Sequence, residues 1–120
     1  MKITNQKSVL FGLVLGIICI LIEVPSWIYL IPWTLSCLLI GYFSTNKKSS
    51  VINGFLFGYF LFMFYNHHHI LRNTSFQFSY FNFLLSTLFF SLAGGIQGMV
   101  GSYLGFYIKG LRNNNLINPA

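Results

Sequence analysis

The sequence predicts an all-α integral membrane protein that crosses a bilayer four times. Its 120 residues are 55% hydrophobic and only 7% charged, whereas about a quarter of the residues of a soluble domain are charged. The apolar residues fall into four stretches, and nearly all basic residues flank those stretches. We therefore expect a single transmembrane domain over residues 1–120, with helices at about 8–24, 27–43, 51–68 and 78–108.

A proline separates the first two predicted helices. The apolar residues 9–24 follow a lysine-containing start but precede no signal-peptide cleavage pattern, so we expect them to be retained as a span. Pro25 interrupts this helix because proline lacks an N–H and clashes with the preceding turn. The second stretch, residues 27–43, has Pro32 and a group of aromatic residues near its start, which is typical of a membrane interface.

The last two stretches have unusual lengths. Residues 51–65 are few for a span of roughly 20 residues, and we expect this helix to continue into the histidines that follow. Residues 76–108 are more than one span needs. They predict either a hairpin that turns at Gly94 and Gly95 or one long helix that extends beyond the membrane.

Charge placement favours the single long helix. With four spans, six of the seven basic residues fall on one side of the membrane: Lys2, Lys7, Lys47, Lys48, Lys109 and Arg112. Arg72 alone falls on the other side, with Glu23 to balance it. A hairpin would move Lys109 and Arg112 across and weaken this asymmetry. By the positive-inside rule, we expect a multi-pass plasma-membrane protein with both termini in the cytoplasm.

Glycines recur at helical spacing in three of the predicted helices. The positions with this spacing are Gly12, Gly16, Gly54, Gly58, Gly94, Gly98, Gly101 and Gly105. Small residues let helix backbones approach closely in lipid, so these glycines are predicted helix-packing positions. The first and third helices share the G-x-x-x-G spacing, and the second and fourth end in similar glycine, aromatic and lysine residues. This suggests two hairpins related as a parallel 2+2 repeat, although the same similarity can arise by chance from the composition.

Few residues can carry chemistry. His67, His68 and His69 can bind a metal, but consecutive residues on a helix point about 100° apart, so a polar cap at the membrane interface is the alternative. Glu23, the sole acid, is either an interfacial anchor that pairs with Arg72 or a proton or cation site. Gln97 lies beside the glycines and predicts a hydrogen bond between helices rather than a selectivity element.

These patterns favour an accessory or structural subunit that packs through its glycine faces against a larger membrane complex. A small homo-oligomeric transporter or channel is the first alternative, and a metal-binding membrane protein that uses His67–His69 is the second. The expected partners are the lipid bilayer and other membrane subunits or copies of the chain. The scattered basic residues form no nucleic-acid face, and the sequence contains no cofactor motif or catalytic set of residues. We expect no cofactor and no catalytic activity of its own.

Overall fold

The chain folds into four α-helices. The computed structural model describes the backbone of residues 4–22, 28–73 and 80–117, and the side chains of residues 4–22, 28–68 and 81–114. The helices are α1 (Asn5–Leu21), α2 (Leu30–Tyr42), α3 (Lys47–Asn73) and α4 (Tyr80–Ile117). The prediction of an all-α fold with four helices is confirmed, and the last apolar stretch forms one helix rather than a hairpin.

Helix length alone supports fewer spans than the four predicted. Within the described residues, one helix is long and apolar enough to cross a membrane, over Phe81–Asn114 in α4. The 17 residues of α1 and the 13 of α2 are apolar but shorter. At 1.5 Å per residue they extend about 26 Å and about 20 Å, against roughly 30 Å of hydrocarbon. In α3, polar residues at both ends lower the mean hydropathy of the helix.

Polar caps explain why α1 and α3 begin before their predicted starts. The Oγ1 of Thr4 accepts a hydrogen bond from the backbone N–H of Lys7 at 3.4 Å. The Oδ1 of Asn46 accepts one from the backbone N–H of Ser49 at 2.7 Å. Such side chains satisfy N–H groups of the first turn, which have no partner within the helix. Each helix therefore starts within the polar segment before its apolar stretch.

The prolines explain where α1 ends and α2 begins. The last residue of α1 is Leu21, four residues before Pro25, whose ring would clash with the Leu21 carbonyl in a continuing helix. Pro32 lies in the first turn of α2, which starts at Leu30. A first-turn proline gives up no helical hydrogen bond. Pro32 is therefore compatible with a helix that starts at Leu30, three residues later than the predicted position 27.

The order of the contacts between helices shows in which direction each helix runs relative to its neighbours. A Cβ at Gly12 would lie 2.7 Å from the carbonyl oxygen of Phe57, and one at Gly16 would lie 3.4 Å from the ring of Phe64, so α1 runs parallel to α3. Gly54 lies against Gly98 and Gly58 against Gly94, so α4 is antiparallel to α3. The helices α2 and α4 run parallel, since Gly101 meets Cys37 and Lys109 reaches Ser44.

The four helices therefore alternate in direction. The starts of α1 and α3 lie at the same end of the bundle as the ends of α2 and α4. The pair of α3 and α4 forms the centre, α1 packs on α3, and α2 packs on both α4 and α3. The bundle is elongated, with extents of 62 × 27 × 19 Å, because α4, with 38 residues, runs about 57 Å.

The two hairpins do not pack alike. Gly54 and Gly58 of α3 contact α4, the next helix in the chain, whereas Gly12 and Gly16 of α1 contact α3. In a parallel 2+2 repeat, the equivalent glycines of α1 would contact α2. The shared glycine spacing thus corresponds to two different helix contacts.

Candidate functional site

A seam of small residues joins α3 to α4. We call it the glycine–serine seam, and its members are Ser50, Gly54 and Gly58 on α3 and Gly94, Gly98 and Ser102 on α4. Each member lies opposite its counterpart, because the residues are spaced by four on both antiparallel helices. A Cβ at Gly54 would overlap the carbonyl oxygen of Gly98, and a Cβ at Gly98 would overlap that of Gly54. The backbones of the two helices are therefore in direct contact.

Two serines close the seam with reciprocal hydrogen bonds. The hydroxyl of Ser50 donates to the carbonyl oxygen of Ser102 at 2.8 Å, and the hydroxyl of Ser102 donates to that of Ser50 at 2.7 Å. The two hydroxyl oxygens lie 3.0 Å apart, and both side chains are fully buried. Each buried hydroxyl thus has a hydrogen-bond acceptor on the opposite helix. The sequence singled out neither serine as half of a bonded pair, although both continue the four-residue spacing of the glycines.

The other glycines of α4 face α2. A Cβ at Gly101 would lie 2.7 Å from the Cβ of Cys37, and one at Gly105 would overlap the carbonyl oxygen of Leu38. Gly41 of α2 lies against the backbone of Ser102 in turn. Sequence reasoning missed Gly41, since no second glycine stands three or four residues away in α2. All eight glycines predicted from spacing contact another helix of the same chain.

An aromatic cluster packs α1, α2 and α3 together at the end where α1 stops. The ring of Trp33 stacks on Tyr29 at 6.1 Å and meets the edges of Phe62 at 5.9 Å and Tyr65 at 5.4 Å. The indole N–H of Trp33 donates to the sulfur of Cys19 at 3.2 Å. Both cysteines are buried free thiols. They act as small packing residues in contact with Trp33 and α4.

The opposite end of the bundle is basic. This basic end consists of the charged residues at the helix ends that meet there: Lys7, Lys47, Lys48, Lys109 and Arg112. The ammonium of Lys109 donates to the carbonyl oxygen of Ser44 at 2.9 Å, just beyond the end of α2. The guanidinium of Arg112 donates to the hydroxyl of Tyr42. The ammonium of Lys47 lies 5.2 Å from the centre of the Tyr103 ring.

The predicted metal ligands are only partly within the described side chains. His67 is half-buried and its ring lies 5.1 Å from that of Phe83, while His68 is exposed. The side chain of His69 and all of Glu23 lie outside the described residues. No group of three His, Cys, Asp or Glu side chains able to hold a metal ion occurs in the part of the chain that the structure describes.

Gln97 lies at the edge of the packed face of α4, where it lines a small cavity together with Cys37 of α2 and Phe57 of α3. Its side chain is exposed, and no described residue forms a hydrogen bond with it. The hydroxyls of Ser86, Thr87 and Ser91 all donate to carbonyl oxygens of their own helix. The predicted hydrogen bond from Gln97 to another helix of the chain is therefore absent from the described structure. Gln97 is the one amide in the apolar residues 83–108.

Large apolar side chains lie on the outside of the bundle as well as in its core, where Phe57 and Leu61 are buried beside polar side chains. Fully buried side chains include Ser8, Ser50, Asn53 and Ser102, each 0% exposed. Large apolar side chains face outwards on every helix, among them Leu10 at 61%, Ile31 at 59%, Ile52 at 39% and Phe89 at 70%. An aqueous solvent would leave these side chains hydrated, whereas lipid would not.

The chain was compared with protein families, curated proteins and solved structures. No protein family model, no curated protein and no solved structure matches this chain. Its function must therefore be argued from the packing and the exposed groups described above.

Proposed function

We propose that all four helices lie in a bilayer and that the chain is a non-catalytic accessory subunit of a larger membrane assembly. The exposed apolar surface supports the location, because large Leu, Ile and Phe side chains face outwards on every helix, around a core that holds both apolar side chains and serine and asparagine. Transfer to water would expose this apolar surface at about 25 cal/mol per Å². The shorter α1 and α2 fit beside the long α4 where the bilayer thins or helix flanks continue the span.

The basic end supports the orientation. Five cations of the described chain gather where α1 and α3 start and where α2 and α4 end. Loops rich in Lys and Arg stay in the cytoplasm. We therefore place this end, and with it both chain termini, on the cytoplasmic side of the plasma membrane.

One exposed amide carries the proposal that the chain is a subunit. Gly58 stands in the middle of the apolar residues 51–65, and Gly94 lies opposite it. Gln97 is three residues from Gly94, about 4.5 Å along the helix axis. Its exposed side chain thus lies near the middle of the bilayer, at the edge of the junction with α2 and α3 and close to the exposed side chains of Ile96, Val100 and Leu104. An unpaired amide in hydrocarbon is costly, so a polar group of another protein is its natural partner.

The docking surface differs from the one that the glycine spacing predicts. Gly54, Gly58, Gly94 and Gly98 contact one another within the chain, and the remaining predicted glycines also face neighbouring helices of the chain. They cannot also contact a partner without opening the bundle. We propose instead that the face of α4 around Gln97 meets the larger complex. The direct backbone contact of α3 with α4 leaves no path between these two helices, which favours a structural role.

A homo-oligomer is the second candidate, and the same amide supports it. A glutamine side chain both donates and accepts hydrogen bonds. Two copies related by a two-fold axis in the membrane would place their Gln97 amides at one depth, where each can donate to the other. A transporter or channel would then form between copies rather than within one bundle.

Site-specific photocross-linking in native membranes tests the subunit proposal. A cross-linking residue at Leu104 lies seven residues from Gln97 and shares its face, whereas one at Leu92 points about 140° away. We expect one defined product from Leu104 and little from Leu92. A product with a foreign subunit supports the accessory role, and a product of twice the chain's mass supports the homo-oligomer.

Native mass spectrometry and a substitution complete this test. Gln97→Leu should lower the yield at Leu104 without changing helical content, because residue 97 is exposed. A lone monomer in gentle detergent, with equal yields at Leu104 and Leu92 in the membrane, would refute both candidates.

A further inference from the structure

The basic end carries positive charge that no side-chain carboxylate of the described residues balances. The sequence has a single acidic side chain, that of Glu23, which lies outside the described residues. Lys109, Arg112 and Lys47 have neutral partners, which are respectively a carbonyl oxygen, a phenol and an aromatic ring. These partners orient the cations without neutralising them, so the charge is available to an anion.

Lys109 and Arg112 form the best-ordered part of this end. They stand three residues apart on α4 and therefore share one helical face. Lys109 is anchored to the Ser44 carbonyl oxygen at 2.9 Å, and Arg112 is anchored to the Tyr42 hydroxyl. An ammonium has three N–H donors and a guanidinium has five. Each group uses one donor within the described residues and keeps the others for a ligand.

The donor set fits a phosphate group. A guanidinium presents parallel N–H groups that match two phosphate oxygens, and an ammonium adds a point charge. Tyr42 accepts from Arg112, so its own O–H remains a donor that can turn towards the same anion. Residues 42–44 mark the end of α2. In a membrane-embedded bundle, this level is where lipid phosphates lie.

We propose that Lys109, Arg112 and Tyr42 bind the phosphate of an anionic phospholipid headgroup on the cytoplasmic side. The inference rests on the proposed membrane location. The lipid would connect the end of α2 to α4 and hold the long helix α4 at a fixed depth. Lys48 provides a matched control, since it carries the same charge at the same end, is exposed and has no hydrogen-bond partner among the described residues.

The test uses the full chain in nanodiscs of phosphatidylcholine with or without phosphatidylglycerol. Vesicle flotation first establishes insertion, and native mass spectrometry then measures the preference for retained phosphatidylglycerol. Loss of one surface charge lowers anionic-lipid binding about fivefold. We expect Lys48→Gln to lose no more than that, and Arg112→Gln to lose at least about tenfold because it also removes the fork of donors.

A neutral substitution separates a site from general charge attraction. Tyr42→Phe changes no charge, and we expect it to lower the phosphatidylglycerol preference measurably, whereas charge attraction alone predicts no change. Arg112→Lys keeps the charge and should recover only part of the preference. Far-UV circular dichroism verifies that each variant keeps the helical content of the wild type.

The outcomes separate this inference from the proposed function. Equal losses in Lys48→Gln and Arg112→Gln, with none in Tyr42→Phe, would overturn the headgroup site. Stabilisation by inorganic phosphate in detergent that equals the stabilisation by phosphatidylglycerol would overturn its assignment to a lipid. A chain that inserts but shows no lipid preference refutes this inference alone, and a chain that fails to insert refutes the membrane location as well.

Discussion

Substituting Gly98 by alanine probes the contact on which the bundle depends. A Cβ at this position would overlap the carbonyl oxygen of Gly54 and lie 3.2 Å from the Cα of Gly58. Both obstacles are backbone atoms, so no side chain can rotate away. The helices α3 and α4 must separate, and roughly an ångström of separation forfeits about a quarter to a half of each dispersion contact. Overpacking of this kind costs about 1–3 kcal/mol.

A matched control lies in the same helix. Gly110 has no atom within 4 Å of an added Cβ, so Gly110→Ala should leave the free energy of unfolding within about 1 kcal/mol of wild type, on the stabilising side. The free energies are measured by titrating dodecylmaltoside micelles with sodium dodecyl sulfate while following the fluorescence of Trp33, which lies in the core, in a Trp27→Phe background that removes the second tryptophan. Equal values for Gly98→Ala and Gly110→Ala would refute the close contact.

A double-mutant cycle sharpens this prediction. Gly54→Ala and Gly98→Ala push the same two helices apart, and the added methyl groups meet different backbone atoms. Once one substitution has separated the helices, the second has more room. The pair should therefore cost less than the sum of the single substitutions, by at least about 0.5 kcal/mol. Strict additivity would show that the two glycines do not share one contact.

Three further predictions use the same titration. Ser50→Ala and Ser102→Ala should each lower the free energy of unfolding by about 0.6–1.7 kcal/mol. The double variant should lose less than the sum, because the two hydroxyls are in contact and their reciprocal hydrogen bonds join the same two residues. Gly12→Ala should destabilise the bundle by about 1–3 kcal/mol, since its Cβ meets a backbone oxygen of α3. Gly16→Ala should be close to neutral, because its added Cβ would approach no atom of α3 more closely than 3.4 Å. Trp33→Phe should cost about 0.5–1.5 kcal/mol through the lost hydrogen bond to a buried thiol of α1. Because this variant lacks the Trp33 reporter, its unfolding is followed by far-UV circular dichroism in the same titration.

The sequence predicts which glycines lie in helix contacts better than it predicts which helix each glycine contacts. Helical spacing places Gly94, Gly98 and Gly101 on one side of α4, but it cannot show that the first two meet α3 and the third meets α2. That division depends on how α2 and α3 share the surface of α4. Gly41 has no spaced companion at all, so only the three-dimensional contact with Ser102 reveals its role.

Gln97 shows where a spacing argument fails. It is three residues from Gly94 and four from Gly101, which predicts a place beside the packed face. At about 100° per residue it falls at the edge of that face, where it lines a cavity with Cys37 of α2 and its side chain is still exposed. The helix starts, by contrast, were readable in principle, because Thr4 and Asn46 are good N-cap residues directly before them.

We propose that all four helices cross the bilayer with the basic end in the cytoplasm. Labelling of single cysteines with a membrane-impermeant maleimide tests it most directly, in a chain whose Cys19 and Cys37 are replaced by serine. Asn73 ends α3 and Asn114 lies in the last turns of α4. We expect that Asn73→Cys reacts in intact cells and that Asn114→Cys reacts only after the membrane is permeabilised. Labelling of both cysteines from the same side would contradict it.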